Sequence, residues 1–173
     1  MRQVIILLTA LFVSSYNGIA QDSLNFTDEN GLKQGEWKEF FQNEKFDYAI
    51  INYVDDVKEG PFKAFLQDGT LYMKGSYVNG ELNGEHIIYY EDGQIKVKTN
   101  FLNGKKNGKK LVYYEDGILY SETNYKNDLL NGPTISYYPN GKIKRESYYL
   151  NDEKTGTWKK YSEDGKLIRS DEF

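Results

Sequence analysis

The chain has 173 residues, a net charge of −4, a single His and no Cys. That excludes a disulfide framework, a Cys-type zinc site and thiol chemistry. The acidic balance argues against a general nucleic-acid coat, so no nucleic-acid partner is expected.

Residues 1–20 have the layout of a secretory signal peptide. Arg2 supplies the positive start, Val4 to Val13 is a ten-residue apolar run, and Gly18-Ile19-Ala20 is a small-residue site that places cleavage after Ala20. Ten residues span roughly 15 Å as a helix, half of a bilayer core, so no transmembrane segment is expected. The mature chain 21–173 then carries a charge of −5, since Arg2 is the only charged residue removed. Export, to the periplasm or the medium, is the expected localisation.

From residue 35 onward the chain is periodic. Gly35, Gly60, Gly84, Gly108, Gly132 and Gly156 lie 25, 24, 24, 24 and 24 residues apart. A period in the twenties signals stacked supersecondary units. Counting each of these glycines as position 0, a second Gly follows at +9 (Gly69, Gly93, Gly117, Gly141, Gly165), preceded by Asp or Asn. A third turn, at +20, holds Gly80, Gly104, Asp128 and Asp152, and Gly31 stands in the same relation to Gly35. Of the glycines beyond residue 20, Gly75 alone falls outside these columns. Position +5 is always aromatic (Phe40, Phe65, Tyr89, Tyr113, Tyr137, Tyr161) and +11 always large and apolar (Phe46, Leu71, Ile95, Leu119, Ile143, Leu167). Position +17 is aromatic in five units, with Tyr53 displaced by one residue in the first, where a bulge is expected.

Each unit reads as a β-hairpin. A strand covers about +1 to +6, an Asp-Gly or Asn-Gly turn follows, and a second strand covers +11 to +17. A loop of about six residues then leads to the next unit. The Gly, Asn and Asp punctuation leaves no uninterrupted helical period. Two registers are open. A two-residue turn puts +6 on the face of +11; a three-residue turn with Gly in the left-handed region pairs +5 with +11. The second is favoured, because it lets +5, +11 and +17 share one packed face. The other face then carries +2, +4 and +6.

Quoted in full, Gly84 to Gly108 reads GEHIIYYEDGQIKVKTNFLNGKKNG and Gly108 to Gly132 reads GKKLVYYEDGILYSETNYKNDLLNG. Six such units in phase resemble the MORN-repeat proteins, specifically the bacterial variant repeat (MORN_2-like). Only Trp37 and Trp158 keep the Trp of that pattern at +2; Phe62, His86, Lys110 and Thr134 stand between them. The resemblance implies an all-β, elongated, single-layer antiparallel sheet of tandem hairpins, with about 12 strands spanning roughly 58 Å. The expected units are a signal peptide (1–20), an N-terminal cap (21–34) and six repeats (35–59, 60–83, 84–107, 108–131, 132–155, 156–173). Many relatives are described as antitoxins of toxin–antitoxin systems, so neutralisation of a toxin is one implied role.

Candidate chemistry is sparse. His86 reads as an aromatic substitute at a Trp position rather than a catalytic or metal-binding residue. Glu91-Asp92, Glu115-Asp116 and Glu163-Asp164 could bind Ca²⁺ or act as a glycosidase pair, but Asp in these positions is a turn former. Lys105, Lys106, Lys109 and Lys110 form one basic cluster, read as a solvated loop. No nucleophile, base and orienter converge in the pattern, so no enzyme, cofactor or metal is expected. The remaining candidate is a row of tyrosines at +6: Tyr90, Tyr114 and Tyr138, placed on the same side as His86 and Trp158. Their expected role is contact with a protein partner, and alternatively with a glycan or another envelope component.

Overall fold

The computed structural model describes residues 24–41 and 46–173. The leader 1–20, with its cleavage site, lies outside the described residues, as do Asn43 and Glu44 of the first hairpin turn.

The described residues form one open antiparallel sheet. A short strand β1 (Phe26–Thr27) covers the outer edge of β2 (Lys33–Phe40). Hairpins follow in chain order: β2 with β3 (Tyr48–Val54), β4 (Val57–Phe65) with β5 (Leu71–Val78), and β7 (Gly84–Tyr89) with β8 (Ile95–Leu102). Next come β9 (Lys105–Tyr113) with β10 (Leu119–Lys126), β11 (Leu129–Tyr137) with β12 (Ile143–Leu150), and β13 (Glu153–Tyr161) with β14 (Leu167–Glu172). Strand β6 (Glu81–Leu82) is the start of the β7 strand, interrupted at Asn83. Every pair of elements in substantial contact is a pair of sheet neighbours.

The glycine columns are explained by backbone geometry. All fourteen periodic glycines beyond the leader have positive φ, and Gly75 does not. At +9 the chain makes a three-residue loop: in the third unit Gly93 N–H donates to Tyr90 O at 3.0 Å and Tyr90 N–H to Gln94 O at 2.8 Å, with Gly93 at φ 85°. This is the favoured register, and +5 does pair with +11, as in Tyr89 with Ile95 and Tyr113 with Leu119.

Two expectations need correction. The connection between units is not a loop of about six residues. Asn127 and Asp128, at φ 51° and 70°, make a two-residue hairpin turn of the primed type, and Asp55-Asp56, Asn79-Gly80, Asn103-Gly104 and Asn151-Asp152 repeat it. Strands therefore begin three residues before the position-0 glycine, which becomes an interior bulge.

The second correction concerns +17. Leu119 faces Tyr113, but Ser121 faces Val112, so Tyr120 is an extra residue in the ladder. The same shift occurs in the second, third, fifth and sixth hairpins. One extra residue reverses the side on which every later side chain emerges. Positions +13, +15 and +17 therefore join +2 and +4, leaving +5 and +11 on the opposite face. Ring contacts agree: Phe62 lies 4.8 Å from Tyr77, His86 5.8 Å from Phe101 and Trp158 4.9 Å from Phe173. The first hairpin lacks the shift, pairing Gly35–Phe40 with Tyr53–Tyr48 without interruption. The bulge expected in these strands is therefore absent from the described pairing.

The buried cluster lies on the +2/+4/+17 face, hereafter the core face. Ala49, Ile51, Tyr53, Phe62 and Ala64 form it, with Trp37, Phe41, Met73, Tyr77 and Leu82 packed around them. The +5 column, expected to be the packed one, is half-exposed in the later units, and Phe40 is 69% exposed.

Candidate binding surfaces

The +6 tyrosines sit where each chain leaves its first strand, along one long edge of the sheet. Tyr90 Oη donates to Tyr113 O at 2.7 Å, Tyr114 Oη to Tyr137 O at 3.1 Å, and Tyr138 Oη to Tyr161 O at 2.8 Å. Each hydroxyl thus ties its hairpin to the +5 carbonyl of the next. The rings rest beside the bulged +12 residue of their own hairpin: Lys96 over Tyr90 at 5.0 Å, Tyr120 edge-on to Tyr114 at 5.1 Å, and Lys144 over Tyr138 at 5.4 Å. Partial burial pushes the Tyr114 phenol above its usual range, in keeping with its service as a donor.

His86 and Trp158 lie in the +2 column, four residues and about 13 Å along the strand from position +6. His86 packs between Phe62 and Phe101, and burial holds its imidazole below the ordinary value. Trp158 lies against Tyr149 and Phe173, with Lys154 Nζ 4.6 Å from its ring and its indole N–H donating to Tyr148 O at 3.1 Å. The structure therefore gathers the three tyrosines into one row and sets His86 and Trp158 apart, six strands or about 29 Å from each other.

The turn carboxylates do turn chemistry. Asp68, Asp92 and Asp116 each accept, through Oδ1, the backbone N–H two residues on, at 2.9 to 3.0 Å. Among the described residues no group of three or more His, Asp or Glu side chains could hold a metal ion. The lysine cluster is divided. Lys106 covers the Tyr125 ring at 5.1 Å, whereas Lys109 pairs with Glu122 at 2.6 Å on the opposite face.

Two recurring devices escape sequence reading because each needs the register to be known. Lysines two residues before the position-0 glycine cover core-face rings, as Lys33 does over Trp37 and Tyr53, both at 4.6 Å. Asparagines fill the gap at the glycine bulge: Asn52 and Asn124 donate through Nδ2 to Pro61 O and Pro133 O at 2.8 and 2.7 Å.

An open groove of about 620 Å³ runs beside the tyrosine row, lined by Leu66, Tyr72, Tyr89, Tyr90, Lys96 and the acidic Glu91, Asp92 and Glu115. Such a surface offers aromatic rings and carboxylates to a ligand without any converging catalytic set.

An open single-layer sheet of tandem hairpins, in which each unit contacts only its neighbours, defines a β-repeat protein. The family model described as MORN repeat variant matches residues 58–79, 82–103, 106–127, 130–151 and 154–173, and the chain belongs to that family. The matched repeats begin two residues ahead of each position-0 glycine, and hairpin β2–β3 precedes the first of them in the same ladder. No curated protein matches the chain. MORN repeats are generally non-enzymatic and often serve as protein-interaction modules. Among the described residues no helix is long and apolar enough to cross a membrane.

Proposed function

We propose that this chain is an exported, non-enzymatic repeat protein whose sheet is a binding or scaffolding surface for a protein partner. The observation that carries this reading is the row of Tyr90, Tyr114 and Tyr138, each held by the same hydroxyl-to-carbonyl bond. A ring fixed in advance loses little freedom on contact, which favours its use as an anchor. Identical positions in successive hairpins lie about 9.6 Å apart, so the row is about 19 Å long. His86 and Trp158, set apart on the core face and packed among other rings, lie outside this row. Neutralisation of a toxin is one form such binding would take.

The test is affinity capture from envelope extract with residues 21–173, followed by tyrosine variants. Tyr114→Phe keeps the ring but loses the bond that fixes it, and should retain the captured partner more weakly. Tyr114→Ser should release it while the protein stays folded. Equal loss of partner and of melting temperature in Tyr114→Ser would reduce the row to a structural strap. The leader is checked by N-terminal sequencing, which should start near Gln21.

A second reading follows from the groove beside the row. Tyr72, Tyr89 and Tyr90 next to Glu91, Asp92 and Glu115 suit a glycan or another envelope component. Retention on immobilised envelope polysaccharide, abolished by Tyr72→Ser, would favour it.

A further inference from the structure

On the core face, positions +4 and +13 face each other across every strand boundary, forming a single row through twelve strands. In spatial order it reads Glu39, Ala49, Ala64, Met73, Ile88, Val97, Val112, Ser121, Ser136, Arg145, Lys160, Arg169. The row is apolar from Ala49 to Val112, neutral and small at Ser121 and Ser136, and cationic at its last three places. Arg145 stands directly opposite Lys160, and Lys160 directly opposite Arg169. Like charges directly opposite one another destabilise a sheet. Elsewhere in the row no two charged residues are neighbours, so this end departs from what folding favours.

Internal compensation is slight. Arg169 Nε pairs with Asp171 at 2.7 Å. Among the described residues Arg145 and Lys160 have no ion-pair partner, and all three cations are exposed. Glu146, the nearest carboxylate in sequence to Arg145, accepts from Tyr161 Oη at 3.0 Å on the opposite face. Lys154 adds a further positive charge beside Trp158 and Phe173. The cations border an open depression of about 360 Å³ that also includes Ile168 and Phe173, 58% and 55% exposed.

We infer that the Arg145–Lys160–Arg169 row is a docking site for an acidic, extended segment of the protein partner. The inference rests on the protein-binding reading above and names the chemistry of the partner. Cations one strand apart, about 4.8 Å, present a line of charge that a run of Asp and Glu side chains can meet. The exposed Ile168 and Phe173 give its intervening apolar side chains a surface. A peptide fits better than an acidic sugar chain, because the indole beside the cations, the ring best suited to stack on a sugar, already has partners. Trp158 packs against Tyr149 and Phe173 under Lys154, so its indole is already engaged.

The probe is a fluorescent oligoglutamate peptide, titrated into residues 21–173 at low and high salt. Binding should appear at low salt and fade as salt screens the charges. The double variant Arg145→Ser/Lys160→Ser, which borrows the residues of Ser121 and Ser136, should bind about tenfold more weakly. Its melting temperature should equal or exceed that of the parent, since a like-charge contact is removed. The control Lys63→Ser/Lys74→Ser removes the facing lysine pair of the opposite face and should leave affinity within about twofold. Absence of peptide binding, equal loss in the control, or preference for a sulfated oligosaccharide or anionic vesicles over the peptide would overturn the site. The tyrosine variants leave these cations intact, so failure of the cationic site and failure of the protein-binding reading give different results.

Discussion

Gly75 is the glycine that no turn requires. A Cβ built there would lie 2.7 Å from Phe62 Cε1 and 3.1 Å from His86 Cδ2. The two rings close over the backbone, so the residue must have no side chain. Glycine within a strand normally costs stability relative to Ala, yet Gly75→Ala should destabilise by about 1–3 kcal/mol through overpacking. Chemical denaturation of the two proteins measures it. Glu39 makes a second prediction. Burial pushes its carboxyl up, but hydrogen bonds from Lys33 at 2.7 Å and Tyr53 at 2.9 Å outweigh that and leave it below its ordinary value of 4.5. A depressed folded value adds stability that is complete above the unfolded value and vanishes as pH falls through the folded one. Acid titration of the melting temperature should therefore show a steeper decline below about pH 4.5 in the parent than in Glu39→Gln. A parallel decline in both would refute the assignment.

At the scale of the hairpin, the extra residue at +12 decides which face is packed. Deleting Tyr120 alone should force Ser121–Lys126 onto the wrong face and cost most of the local ladder. Circular dichroism and melting should show loss of the cooperative transition, far beyond the effect of Tyr120→Ala. The turn at +9 was legible because Asp-Gly and Asn-Gly carry a known backbone preference. Pairing of +5 with +11 follows from it. The +12 bulge was not legible: Tyr72, Lys96, Tyr120, Lys144 and Ile168 are of three unlike types, and neither Gly nor Pro marks the place. Counting by twos from Leu119 then carries Tyr125 to the wrong side. The +20 turns were misread as longer loops because the position-0 glycines resemble loop residues, whereas they sit as bulges within nine-residue strands such as β9. The tyrosine row was visible as a 24-residue spacing, but the bond from each hydroxyl to the next hairpin depends on register. So does the cationic row, whose members are 15 and 9 residues apart in sequence.

Over the whole molecule, the substantial contacts between elements are those of neighbouring strands, and ties such as Tyr90 Oη to Tyr113 O lead to the next hairpin, so stability is close to a sum over units. Removing residues 85–108, one complete unit, should leave a folded protein with a modestly lower melting temperature. Removing 12 residues splits a hairpin and reverses strand direction, and should abolish the cooperative transition. Calorimetry distinguishes the two. The apolar-to-cationic progression of the +4/+13 row also means that units are not interchangeable. A deletion within 60–107 shortens the apolar stretch, whereas one beyond 132 removes charge.

The two long margins of the sheet carry bonds in addition to the ladders. On one, tyrosine hydroxyls reach the next hairpin. On the other, the second residue of each primed turn donates its N–H to the preceding turn region: Asp56 to Lys33 O, Gly80 to Lys58 O, Gly104 to Leu82 O, Asp128 to Lys106 O and Asp152 to Leu130 O, at 2.9 to 3.1 Å. Where the residue is Asp, its Oδ1 also accepts the N–H of that partner, as from Lys33, Lys106 and Leu130 at 2.6 to 2.8 Å. Under tension applied at the two termini, a plain ladder would peel strand by strand. From the third hairpin to the sixth both margins are fastened at the period of the hairpin, and there the unit of rupture becomes the pair of strands. Stretched in optical tweezers, this part of the protein should lengthen in equal steps of one 24-residue repeat, about 80 Å of released chain. Tyr90→Phe, Tyr114→Phe and Tyr138→Phe together should break those steps into halves.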